Sequence, residues 1–291
     1  MSDNPLFSVL IANYNNGRFL MEAVDSVKAQ TYPNWEIVLV DDDSTDNSHE
    51  LYKQLEQDDR IHIFYNKENK GCGYTKRRCA ELAKGEICGF LDADDLLMPE
   101  ALQIMSEGHV AHPDCSLIYS QYYVADNDMN ILGVSNHQRQ ISDGQTFLDL
   151  PFSGAVSHFA SFKMAHYRQT EGISPIQQKA VDIDLYLKME EVGHLLFIPK
   201  PLYIYRMGTG NNISLGENGP SAAFWDILAR VEACKRRNVD NSSLAELFST
   251  VTKTCFQSGF DEGCKTVRQS KAYKIGRALL SPAKAIKHRF E

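Results

Sequence analysis

No window of 18 uninterrupted apolar residues occurs in the 291-residue chain, which argues against a membrane-spanning helix. The seven cysteines are odd in number, form no C-x-x-C pair and are too sparse for a disulfide scaffold, so they read as reduced thiols. Glycine and proline stop at 18 and 10, too few for a collagen-like or low-complexity chain. An excess of positive charge is missing as well. The 30 Lys and Arg stand against 38 Asp and Glu, a net of −8, so no nucleic-acid partner is expected. The first residues, MSDNPLFSVLIANYNNG, show neither a basic n-region nor a long apolar h-region, and the expected compartment is cytoplasmic. Several catalytic signatures are absent too: there is no G-x-x-x-x-G-K-[ST], H-E-x-x-H or G-x-S-x-G. Gly71-Cys72-Gly73-Tyr74-Thr75-Lys76 comes nearest to a phosphate loop but lacks the third glycine and does not end a strand. P-loop, dinucleotide, zinc-hydrolase and serine-hydrolase chemistries are set aside.

What is present is a core and a pattern. Hydrophobic residues make up 43% of the chain, and short apolar runs alternate with helix-period stretches over the first 120 residues, the signature of βαβ units. Strands are predicted at Leu6–Ala12, Trp35–Val40, Ile61–Tyr65, Ile87–Leu91 and Ser116–Val124. Leu20, Ala23, Val24 and Val27 recur on one face of the first helix, which stops near Tyr32-Pro33. Ser44 or Asp46 can cap the second. Between Ala125 and Gly172 the signals weaken, and loops with edge strands are expected. Val181–Gly193 fits both a strand period and a helix face, and after Gly219 the pattern is helical to the end, interrupted at Pro282.

Two predicted strands end in acid: Val40-Asp41-Asp42-Asp43-Ser44-Thr45-Asp46 and Leu91-Asp92-Ala93-Asp94-Asp95. In an open parallel sheet, ligands collect beyond the carboxyl ends of the strands, so both clusters point at one crevice. A lone D-x-D is more often a capped turn than a site; two at strand ends suit a hard divalent cation that shares its shell with phosphates.

The ordered run FSVLIANYNNGRFLMEAVDSVKAQTYPNWEIVLVDDDSTDNS, then NKENKG, then LAKGEICGFLDADDLLMPEAL, resembles the nucleotide-binding half of family 2 inverting glycosyltransferases, continuously over residues 6–125 and again at VDIDLYLKMEEVG and YIYRMGTGNNIS. The resemblance implies a GT-A-type, Rossmann-like mixed α/β sheet flanked by helices. The nucleotide-binding half would span residues 1–125, an acceptor half 126–218, and a helical region 219–291 would follow. It implies a nucleotide-diphosphate sugar donor, Mg²⁺ or Mn²⁺, and a saccharide or lipid-linked acceptor in surface polysaccharide synthesis. Ala12, Asn13 and Tyr14 fall in the loop under the nucleotide, Asp42 on the position that faces the pyrimidine, Asp92 nearer the ribose, Ala93 among the donor-binding positions, and Asp94 on the metal ligand. Asp182 matches the catalytic base, with Asp184 as fallback. Departures are visible. Asp43 replaces the usual glycine, Lys76-Arg77-Arg78 stands where A-R-N is common, the Glu before Asp182 is Val181, and Gly208 stands where a His is usual. Lys76 is a candidate cation for the diphosphate, or else part of an exposed basic face; His158 is a candidate for the missing His, or else structural.

Two other functions stay open at this stage: a catalytically silent sugar-nucleotide binder, and a nucleotidyltransferase, whose Gly- and Lys-rich first loop is not seen here. Residues 265–291 carry a net +7 and leave −15 on the rest. Ile275, Leu279, Ala283, Ile286 and Phe290 alternate with lysines at helical spacing, which suits either a helix on the anionic inner face of the cell membrane or one packed on the body. Salt-sensitive flotation of the full-length protein with anionic vesicles separates these.

Overall fold

The structure is a computed structural model and describes Ser2, residues 4–209 and residues 219–239. Its first four strands, β1 (Phe7–Asn13), β2 (Trp35–Asp41), β3 (Ile61–Tyr65) and β4 (Ile87–Phe90), are parallel and lie in the order β3-β2-β1-β4. β1 and β2 are buried along nearly their whole length on both faces, which is why they read as largely apolar runs, interrupted inside by Ser8 and Glu36, whose hydroxyl and carboxylate bond each other at 2.6 Å. Helix α1 (Gly17–Lys28) buries Phe19, Leu20, Ala23, Val24 and Val27, the stripe its spacing predicts. Helices α2 (Ser48–Leu55) and α3 (Cys72–Leu82) fill the next two crossovers. Strand bounds match the sequence expectation to within a residue.

The rest of the chain extends the sheet with mixed direction. In chain order come β5 (Leu96–Leu97), α4 (Ala101–Ala111), β6 (Cys115–Ala125), β7 (Ile131–Val134), the 3₁₀ turn Phe147–Asp149, β8 (Ala160–Lys163), α5 (Met164–Tyr167), α6 (Val181–Glu190), β9 (His194–Arg206) and α7 (Gly219–Arg237). The nine strands among the described residues run β3-β2-β1-β4-β8-β6-β9-β5, with β7 paired to β6. β8 is therefore an interior strand, antiparallel to both β4 and β6, where the sequence predicts only loops and edges. Its brevity and its polar residues hide it. Ser161 shares a hydrogen bond of 3.0 Å with the ring of buried His109, and Lys163 Nζ donates to the carbonyls of His112 and Pro113, so polar side chains are satisfied inside the protein.

β9 carries Pro199 and Pro201 ahead of its pairing with β5, where its strand neighbour is β6 alone and the register slips near Ser120 and Gln121. Proline is tolerated there because no ladder donor is needed on the outer side. Alternate residues of the strands build two apolar layers. Phe7, Val9 and Ile11 pack with α1 and α4 on one face, and Leu10, Val38 and Val40 pack with α3 and α6 on the other.

Helix α7 belongs to the same compact unit as the sheet, which runs Met1–Val239. Its Arg230 is fully buried, pairs with Asp226 at 2.7 Å and donates to the carbonyls of Phe147 and Leu148. The unit boundary thus falls after Val239, later than the 218/219 division the sequence suggests. The second unit, Asp240–Glu291, and with it the basic tail, lies outside the described residues. No helix among the described residues is long and apolar enough to cross a membrane.

Candidate active site

Past the end of β2 the chain must turn sharply, and Asp43 takes a left-handed φ of 67°, the geometry its replacement of a glycine demands. The turn leaves Asp42 buried, with Oδ1 accepting from Asn66 Nδ2 at 2.7 Å and from the Lys70 N–H at 2.8 Å, and Oδ2 from the Gly71 N–H at 2.8 Å. Three of the four lone-pair positions of the carboxylate are taken and one is open. Asp42 thereby ties the NKENKG segment to the sheet. Asn13, expected beside a ligand, turns its side chain to the other face of β1: Nδ2 donates to Tyr52 at 2.7 Å and to Ser48 at 3.0 Å. The reason is the strand period, since Asn13 continues the Phe7, Val9, Ile11 face whereas Ala12 continues that of Leu10. Tyr14 is 47% exposed just beyond.

The second acidic cluster is built by residues far away in sequence. Asp95 is buried and accepts from the Tyr203 hydroxyl at 2.7 Å and the Arg206 N–H at 2.8 Å. Arg206 Nε donates to the Asp94 carbonyl at 2.8 Å, and its other nitrogens reach the Asn127 carbonyl and Glu22. Strand β9 therefore shapes the loop from Asp92 to Asp95. Ala93 is buried in the α1-side core and can offer a ligand only its backbone.

Lys76 leaves α3 toward this loop and holds Asp92 Oδ1 at 2.8 Å. Burial opposes its charge, but Asp92 beside it outweighs burial and holds the ammonium above its ordinary pKa. Burial likewise pushes Asp92 up, while Lys76 and His158 overcome that and leave it below the usual carboxylate range. Asp94 goes the other way: burial and the like charge of Asp92 raise it. The neighbouring arginines are not a solvated face either. Arg77 donates to the carbonyls of Glu171 and Ile173, and Arg78 to the Tyr65 carbonyl and Asn66.

The ambiguous segment is helix α6, which puts Asp182 and Asp184 about 200° apart around the axis instead of on one strand face. Asp184 is buried, bonded to Lys188 at 2.9 Å and to the Ser174 N–H at 2.8 Å. Asp182 lines a small cleft with Lys76, Phe90, His158, Ala160, Ile173, Val181, Leu185 and Tyr186. The two halves of the chain meet closely here. The Gly73 N–H donates to the Gln177 carbonyl at 2.9 Å, and a Cβ on Gly73 would stand 2.2 Å from that oxygen. The half-buried Cys72 thiol, pushed up to about 11 by desolvation, feels Lys76, Asp92, Asp182 and Asp42 together, so these groups surround the first turn of α3.

Sequence reasoning missed Tyr203, Arg206, Asp95 and the setting of His158. The His158 ring stacks on Tyr203 at 5.0 Å and Tyr205 at 6.2 Å, with Tyr122 edge-on at 6.3 Å. Nothing local in HFASF signals that stack, because its partners come from β6 and β9.

Among the described residues no three His, Cys, Asp or Glu side chains converge into a metal cage. The donors fit a hard divalent cation of another kind, one that takes one or two carboxylates and completes its shell with phosphate oxygens and water. Asp92 has Lys76 as its counter-ion, whereas Asp94 faces a like charge, and Asp94 is the carboxylate that such a cation would relieve.

The model of the family described as glycosyl transferase family 2 matches residues 8–170. Chondroitin synthase of Escherichia coli is 28% identical over 214 residues, which cover 74% of this chain and 30% of that protein. Hyaluronan synthase of Pasteurella multocida is 28% identical over 216 residues, 74% of this chain and 22% of that protein. The chain thus spans about a quarter of the length of the first curated relatives it matches. Among solved structures, residues 1–349 of S. aureus TarS in complex with UDP share the fold, with a TM-score of 0.63 and 16% identity over 91% of this chain and 75% of that one.

Proposed function

The chain belongs to glycosyl transferase family 2, with a GT-A-type fold, and from that membership we propose that it moves a sugar, with inversion, from a UDP-sugar to a saccharide or lipid-linked acceptor in surface polysaccharide synthesis. The observation that carries the proposal is the cleft in which Asp182, from the second half of the chain, shares a wall with Lys76, the partner of Asp92 from the first. The UDP bound by the similarly folded TarS supports a uridine nucleotide, and the names of the chondroitin and hyaluronan synthases support a polysaccharide product.

The chemistry follows from charge. Asp182 accepts the proton of the attacking hydroxyl, on the side of the sugar opposite the leaving diphosphate, and that opposition inverts the anomeric centre. Asp42 offers its remaining lone pair to the pyrimidine N–H. Lys76, fixed by Asp92, lends positive charge where the diphosphate departs. Mg²⁺ or Mn²⁺ held by Asp94 would neutralise the charge that develops on the leaving phosphate. The test is product formation from a labelled UDP-sugar. EDTA should abolish transfer, Mn²⁺ or Mg²⁺ should restore it, and Asp94→Ala should lose most activity while keeping its circular dichroism spectrum. Full turnover in EDTA overturns the metal assignment, and donor binding without transfer overturns the enzyme assignment.

A further inference from the structure

Two elements besides its own helix bring charged groups within reach of Asp182. From the nucleotide-binding half comes α3, whose Cys72 and Lys76 sense its charge. From the end of the sheet unit comes α7, whose Asp226 senses Asp182, is met by the Phe152 N–H and pairs with Arg230. Arg230 donates onward to the carbonyls of Phe147 and Leu148 and so ties the turn that leads to Phe152. Gln177, just ahead of α6, donates to the Trp225 carbonyl at 3.0 Å and to the Lys179 carbonyl at 2.9 Å. Three stretches far apart in sequence, around residues 152, 177 and 225, are bonded together beside one carboxylate.

The surface they offer there is apolar and open. Phe152 is 46% exposed and Ile176 71% exposed, while Phe224 and Trp225, edge-on to each other at 5.9 Å, are only part buried. Phe152 takes its place with a left-handed φ of 54°, which a phenylalanine adopts only against strain. Apolar side chains exposed singly are ordinary; several from separate segments around a charged site mark a binding surface. Resting on the acceptor reading above, we infer that Trp225, Phe224 and Phe152 form the acceptor subsite beside Asp182 and take the terminal sugar rings of a saccharide. A pyranose has the two kinds of surface that this place requires. Its C–H face covers an aromatic ring, and its hydroxyls reach polar groups at the rim, where Gln178 is exposed and Lys179 and Asp182 are half-buried. A polyprenyl chain would need an unbroken apolar trough, and here those polar side chains divide it. Ile176, Phe224 and Trp225 also lie beyond the residues 8–170 that the family model matches, so the subsite is set by this chain's own extension of the fold.

The chain has two tryptophans, and Trp35 is buried, so emission that changes on ligand addition reports Trp225. The full-length Trp35→Phe protein, or the parent if that variant fails to fold, is titrated with cellotetraose, chitotetraose and the tetrasaccharides of chondroitin and hyaluronan, and separately with farnesyl phosphate in phosphatidylcholine vesicles. At least one tetrasaccharide is expected to shift the emission. Calorimetry should then show its affinity lowered about tenfold by Trp225→Ala, less by Trp225→Phe, and severalfold by Phe152→Ala, whose exposed ring the fold does not need. Emission unmoved by every tetrasaccharide overturns the inference, as does a tetrasaccharide held equally well by Trp225→Ala. A response to farnesyl phosphate alone assigns the surface to lipid, and a dimer that Phe152→Ala takes apart in sedimentation assigns it to a second copy; either sinks the saccharide subsite. Thermal shift with UDP on the same samples keeps the two readings apart: UDP stabilisation without a saccharide response refutes the subsite alone, and a saccharide response without UDP stabilisation refutes the donor reading alone.

Discussion

Two carboxylates two positions apart do unlike things here, and substitution should separate them. Asp182→Asn keeps the shape and removes the proposed proton acceptor, so turnover should fall by roughly 100-fold or more while donor affinity, measured by calorimetry, stays near that of the parent. Asp184→Asn should report in melting temperature instead. It leaves the Lys188 ammonium buried without its counter-charge, a loss of about 3 kcal/mol for a pair of this kind. An Asp184→Asn protein that melts like the parent and turns over no donor would exchange the two assignments. The sequence could not choose between them by pattern, because Val181, Ile183, Leu185, Leu187 and Met189 satisfy a strand period as well as a helix. Tertiary contacts set them apart: Ser174 and Lys188 bond Asp184, while Asp182 lines the cleft. Asp42 and the left-handed Asp43 were legible, since each follows from a short local turn. The side-chain direction of Asn13 needed only the strand period, applied one residue further.

Helix α3 is the element through which the two halves are aligned, and Gly73 is the point of contact. Gly73→Ala forces a Cβ to within 2.2 Å of the Gln177 carbonyl and 2.6 Å of the Ser174 carbonyl, both backbone atoms that must move. The segment leading into α6 then shifts, and Asp182 with it. The expected outcome is a stability loss of about 1–3 kcal/mol together with a fall in kcat of roughly tenfold or more, because a displacement near 1 Å can cost that much in an aligned site. Steady-state kinetics beside chemical denaturation reads both, and an unchanged kcat would show that α3 does not set the spacing. The elements that were legible carry their burial in local apolar patterns, near-continuous runs in β1 and β2 and a helical stripe in α1. β8 and β9 were not: one is four residues long with two polar side chains satisfied internally, and the other is broken by two prolines at a register slip. The Asp92–Asp95 loop was read as a motif, but its support from Tyr203 and Arg206 depends on a pairing that no local pattern reveals.

For the molecule as a whole, acid sensitivity should arise well above the carboxylate range. Burial, with Lys163 nearby, pushes His109 down to about 3, so the folded protein keeps it neutral while the unfolded chain protonates it near 6.5. The unfolded state then binds the extra proton between these values. The stabilisation is complete above pH 6.5 and is lost as pH falls toward 3, by up to about 1.4 kcal/mol per pH unit. His166 is lowered by burial too and adds to the same slope. Urea denaturation at pH 7.5, 6.5, 5.5 and 5.0 should show the decline, and His109→Gln should reduce its slope by about 1 kcal/mol per unit; equal slopes would mean that His109 is not its source. The interior place of β8 bears on how such a chain is made. Ile87, Cys88 and Gly89 of β4 find their second neighbours at Lys163, Phe162 and Ser161, and β6 waits for β9 in the same way. While residues 1–125 emerge from the ribosome, β4 presents an unpaired hydrogen-bonding edge that the finished protein never exposes. Closure across such separations makes folding slow and leaves that edge open to other nascent chains. Arg206 arrives later still, so the acidic loop from Asp92 to Asp95 acquires its finished shape only once β9 has been made and has paired.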